Sequence, residues 1–192
     1  MHQTSLKNIL SDKKDDLLAA WFDRIIDTYP AETAKFLKNQ KDRFANPVGQ
    51  TIREGIEGIF HELIRDGEIG RVTTFLDAII RVRAIQEFTP SQAVSFIFFL
   101  KTVCREGTKD IPLSAEIAGE LATFESQIDS LALIAFDIFV QCREKLYDIK
   151  ANEMRNMTYR LLKNANMITE IEGQGAEKET KFIAIQKKEV NT

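Results

Sequence analysis

A chain of 192 residues with 44% hydrophobic content suits one compact domain with a substantial core, and disorder is not its default. Its 26 basic and 29 acidic residues nearly cancel, to a net charge of -3, and are dispersed, which excludes the electrostatic footprint of a nucleic-acid binder. No signal-peptide pattern follows Met1, and the richest apolar run, Ala93 to Leu100, is too short to span a bilayer, so the expectation is a cytoplasmic protein without membrane insertion.

The four prolines, Pro30, Pro47, Pro90 and Pro112, fall where an apolar period breaks and punctuate a series of helices. From Asp12 to Thr28, Leu17, Leu18, Trp21, Phe22, Ile25 and Ile26 recur at three- and four-residue steps, predicting an amphipathic helix that ends at Tyr29-Pro30. A shorter helix is expected over Ala31 to Gln40, contributing Phe36 and Leu37. Asn46-Pro47 supplies a cap followed by proline at the first helical position. The helix it opens carries Val48, Ile52, Ile56, Ile59, Phe60 and Leu63 on one face, with Gly55 and Gly58 in its interior. An interior glycine costs about 1 kcal/mol relative to alanine, so close approach of a neighbouring helix is expected there. After Gly67 and Gly70, a stripe of Val72, Phe75, Leu76, Ile79 and Val82 runs toward Phe88. Thr89-Pro90-Ser91-Gln92 then has the pattern of a capping box. The helix beyond it, with Val94, Phe96, Ile97, Phe98, Phe99, Leu100 and Val103, is apolar almost all round and predicts a central element enclosed by the others.

From Ser114, a reasonable N-cap, about 58 residues to Ile171 contain no proline and a single glycine, Gly119. A continuous helix of that length measures roughly 85 Å, against ~40 Å for a compact domain of this size, so part of it is expected to leave the body. The fold class predicted is an all-α multi-helix bundle with a long C-terminal helix. Its parts are a helical domain over 1–150, a projecting helix or weak coiled coil over 151–172, and a flexible tail over 173–192. Residues Ile117 through Ile149 are richly apolar and able to cover the domain. Met154, Met157, Leu161 and Ile168 continue a near-heptad stripe among polar residues and are the candidate dimer seam. A projecting helix suits pairing or relaying a state, and suits substrate turnover poorly.

Residues that carry chemistry are sparse. His2 and His61 are the only imidazoles, and no HExxH, CxxC, P-loop, GxGxxG or GxSxG pattern accompanies them. Cys104 and Cys142 lie inside helical patterns at no metal-ligand spacing and read as buried thiols. Arg83 and Gln86, three apart on one helix face, form with His61 the candidate ligand-binding set; the alternative for Arg83 is a solvated face with ion pairs to Glu87 or Glu106. No catalytic residue, metal or cofactor is assigned, and the chain is not expected to be an enzyme.

Several segments resemble the RsbRD-type N-terminal sensory domain found at the front of some RsbT co-antagonist proteins of the bacterial stressosome. These are Trp21 with Arg24-Ile25 and Tyr29-Pro30, then Phe44-Ala45-Asn46-Pro47-Val48-Gly49, then Val82 through Ala93, in the same order over roughly Leu6 to Glu153. The resemblance implies a non-enzymatic helical input domain, with globin-like packing but no assured haem, feeding a C-terminal output domain. Full members continue into a phosphoacceptor domain and related input domains can precede kinases, whereas this sequence ends about forty residues after Ile149; the expectation is a stand-alone domain whose output is absent or supplied by another polypeptide. The leading reading is a cytoplasmic regulatory module that forms a homodimer and acts on a protein partner. The alternatives are a haem or small-ligand binder using His61, and an adaptor that grips a redox or membrane-associated complex through residues 173–192.

Overall fold

A computed structural model describes residues 5–40, 42–86, 88–112, 114–165 and 167. The expectations for His2, Ile168 and the tail 173–192 lie outside these residues. Among the described residues there are seven α-helices and no strand: α1 (Leu6–Asp12), α2 (Lys14–Ile26), α3 (Ala31–Asn39), α4 (Pro47–Ile64), α5 (Ile69–Ile85), α6 (Pro90–Thr108) and α7 (Ala115–Asn164). The architecture is an all-α bundle with a long C-terminal helix, as the sequence predicts. None of these helices is long and apolar enough to cross a membrane. The chain divides into two compact units, Met1–Glu144 and Lys145–Thr192.

Local chemistry sets the helix ends of the first unit. Asn46 Oδ1 accepts from the Gly49 amide at 2.8 Å, while its Nδ2 donates to the Leu37 and Gln40 carbonyls at 3.1 and 2.8 Å. One buried side chain thus starts α4 and anchors the end of α3. At α6 the capping box is complete, with Thr89 and Gln92 exchanging backbone-to-side-chain hydrogen bonds around Pro90. Ser114 Oγ accepts from the Ile117 amide at 3.3 Å and opens α7. One helix escaped the sequence reading: Ser5 caps α1, and Leu6, Ile9 and Leu10 bury one face of its two turns before Lys13 breaks the run. The Lys13 ammonium donates to the Gly107 carbonyl, so the break redirects the chain from α1 into α2 beside the end of α6.

Helices α4 and α5 pack closely because α4 lacks side chains where they cross. A Cβ built on Gly55 would lie 2.6 Å from Ile79 Cδ1, and one on Gly58 would lie 2.5 Å from two atoms of the Phe75 ring. Across the core α2 meets α6, where the Trp21 indole donates to the Phe96 carbonyl at 2.6 Å and the two rings stack at 6.5 Å between centroids. Helix α6 is not enclosed all round, since Phe98 is 45% exposed. Its backbone packs on α1, α2 and α5, and its side chains reach α7: the Lys101 ammonium lies over the Phe98 ring and pairs with Asp129 at 2.6 Å, and Arg105 pairs with Glu125 at 2.5 Å. From α7 the core takes Ile117, Phe124, Ile128, Leu131, Ala135, Ile138 and Phe139. Ile149, the last residue of the apolar run expected on this helix, belongs to the second unit and is 48% exposed.

In the second unit, the α7 residues Tyr147, Met154, Met157 and Leu161 are all exposed, on a helix otherwise rich in polar side chains.

Candidate functional site

The least ordinary residue in the core is a cation. Val72, Leu76, Ile79 and Ile80 define the buried face of α5, and Arg83 follows three residues after Ile80 and four after Ile79, so the helical period carries it inward with them. It is 0% exposed. Its Nη2 donates to Thr28 Oγ1 at 3.1 Å and to the Gln92 carbonyl at 3.0 Å, joining the ends of α2 and α5 to the start of α6. Three aromatic rings surround the guanidinium, Phe88 at 4.1 Å, Tyr29 at 5.4 Å and Phe96 at 5.8 Å. Neither Nε nor Nη1 has an acceptor. Among the described residues no carboxylate pairs with it. Glu106 instead takes Arg24, at 2.7 Å, and Glu87 lies outside the described residues.

A buried charge left without a counter-ion costs several kcal/mol, so its surroundings must offset that. The ring faces are one compensation. The carbonyl ends of α2 and of α5 itself, both at Arg83, are another, because helix C-termini carry partial negative charge. Burial still holds the Arg83 guanidinium below the usual arginine range, with Tyr29 acting in the opposite sense.

Two more polar groups complete the cluster. The Tyr29 hydroxyl donates to Gln86 Oε1 at 3.1 Å, and its ring meets Phe88 edge-on at 5.1 Å. Burial raises the Tyr29 phenol above its ordinary range, and neighbouring Arg83 pulls the other way. One residue beyond Arg83, the Ala84 carbonyl accepts from Arg143 Nη1 of α7 at 3.2 Å, so α7 touches the backbone of the cluster directly.

Arg83 and Gln86 are therefore brought together, with Tyr29, Thr28 and Phe88 as members the sequence reading missed. His61 is elsewhere. Gly55 faces Ile79, Gly58 faces Phe75 and Glu62 approaches Arg71, an antiparallel register that sets His61 about 16 Å from Arg83 along the helix axes. The His61 ring is 44% exposed, with Nδ1 3.5 Å from Glu62 Oε1. Cys104 is fully buried, which pushes its thiol up to about 12, and Cys142 is half-buried; both are free. Among the described residues no three His, Cys, Asp or Glu side chains gather as metal ligands.

The family profile described as RsbT co-antagonist protein rsbRD N-terminal domain matches residues 15–154. The chain belongs to this family. The matched span opens in the first turn of α2, contains the whole Arg83 cluster and closes inside α7. No curated protein and no solved structure matches the chain. As an rsbRD N-terminal domain it is a stressosome-related module of the regulatory and sensory class.

Proposed function

We propose that this rsbRD N-terminal domain is a non-enzymatic, cytoplasmic signal-input module that pairs with a second copy of itself through α7 and acts on a protein partner bearing the output function. The observation that supports it is the apolar stripe of the second unit. Tyr147, Met154 and Leu161 follow one another at seven-residue steps and are 59%, 71% and 64% exposed, with Met157 beside them at 66%. Read backwards along α7, the same step reaches Val140 and Leu133; read forwards, it reaches Ile168 in the sequence. A seven-residue apolar repeat is what a supercoiled helix pair uses as its seam. Burying three such side chains from each of two copies contributes on the order of 9 kcal/mol before association costs of about 4–15 kcal/mol, which makes the pairing weak and concentration-dependent.

Sedimentation velocity across a concentration series tests this. The wild-type protein associates reversibly, and Leu161→Glu, which sets two like charges against each other on the seam, shifts it toward monomer. A strict monomer at high concentration, or association that Leu161→Glu leaves unchanged, refutes the pairing.

A further inference from the structure

The Arg83 cluster holds more hydrogen-bond donors than the acceptors around it engage. Nε–H and both Nη1 hydrogens are unused on a side chain that no solvent reaches. Buried donors normally find a partner, and a charged donor left without one is the costliest case. Gln86 has its oxygen engaged by the Tyr29 hydroxyl, which leaves its amide hydrogens as further donors. Nη2 is spent on Thr28 and Gln92, so each edge of the guanidinium fork keeps one open hydrogen beside an engaged one.

We propose that this cluster is a receptor site for the carboxylate of a small organic monoanion. Charge decides the class. One carboxylate cancels one guanidinium and leaves the aromatic cage neutral, whereas a phosphate dianion would leave a net negative charge among Tyr29, Phe88 and Phe96, with the desolvation cost that implies. The carboxylate accepts from Nε or Nη1 and from the Gln86 amide. Phe88, half-buried in the connection between α5 and α6, lies over the guanidinium, so the ligand enters as that ring swings aside. Occupancy reaches α7 through the Ala84 carbonyl and Arg143, next in chain to the bound charge. The role as a sensory input rests on the function proposed above; binding itself does not.

The experiment is thermal unfolding of the whole protein in formate, acetate, inorganic phosphate or chloride at fixed ionic strength, for wild type, Arg83→Lys, Gln86→Ala and Leu161→Glu. Formate or acetate at tenfold excess over its dissociation constant raises the midpoint by about 3–5 °C in a saturable manner. Phosphate and chloride do not, and Arg83→Lys loses the response. Should Arg83→Lys not fold, the Arg83 Nε–H resonance of the wild type serves instead, moving along a saturable titration with formate. Equal responses to all four anions, a stronger response to phosphate, or an Nε–H resonance unmoved by formate overturns the proposal. Leu161→Glu separates the two ideas, since a response that persists in the monomeric variant upholds the site whatever becomes of the pairing.

Discussion

Replacing Gly55 with alanine sets two terms of opposite sign against each other. In an exposed helix interior the change would stabilise by about 1 kcal/mol. In α4 the new Cβ would lie 2.6 Å from Ile79 Cδ1 and 2.7 Å from Cγ1, with the Phe75 carbonyl oxygen at 3.4 Å. Ile79 is 0% exposed, and Cγ1 sits one bond from its Cβ, so the side chain cannot simply swing away. Overpacking of this kind costs about 1–3 kcal/mol, and contact with a non-terminal atom points to the upper half of that range. The net expectation is destabilisation by about 1–2 kcal/mol, or a midpoint lowered by roughly 2–8 °C for a chain of this size. The background Ile79→Ala isolates the cause. That change alone costs about 2–5 kcal/mol, but it removes both clashing atoms, so adding Gly55→Ala to it restores about 1 kcal/mol. Urea unfolding followed by circular dichroism measures all four corners of the cycle. The same effect of Gly55→Ala in both backgrounds would show that Ile79 is not what excludes the side chain.

Three further outcomes are expected. Thr89→Val removes the side-chain half of the α6 capping box and lowers stability by about 1 kcal/mol in urea, while Thr89→Ser keeps it. Asn46→Ala removes a cap and leaves two carbonyls without their donor at a buried position, so it costs about 2–4 kcal/mol, more than Thr89→Val in the same assay. The Cys104 thiol, raised to about 12 from an ordinary 9.0, holds its proton longer in the folded than in the unfolded chain. Its contribution is fully present below about pH 9 and declines toward pH 12, by ~1.4 kcal/mol per pH unit. Cys104→Ala therefore flattens the fall in urea midpoint between pH 9 and 10, and an unchanged slope would contradict a buried thiol.

Much of the fold was legible because it is written in local chemistry. The Asn46-Pro47 and Thr89-Pro90-Ser91-Gln92 caps act within four residues, so the sequence displays each with its partner. Gly55 and Gly58 foretold a close helix contact because their cost in an isolated helix needs a reason elsewhere. Helix α1 was missed for its two-turn length, although Ser5 with Leu6, Ile9 and Leu10 carries both cap and period. The exposure of Phe98 was not legible, since the number of helices around α6 is a tertiary property. Arg83 was singled out, but its burial was not foreseen: a charged residue in the last turn of a helix ordinarily points to solvent. The available signal was its place in the Ile79-Ile80 period. Its cage, Tyr29, Phe88 and Phe96, comes from three segments that only the folded chain assembles.

The indole of Trp21 belongs to the only tryptophan in the chain, and it is wedged between α2 and α6 with its N–H tied to the Phe96 carbonyl. Excited at the red edge of the aromatic band, where tyrosine does not absorb, the protein thus emits from one source, placed at a seam that also borders the guanidinium cage through Phe96. Light emitted there reports the parting of two helices with no label attached.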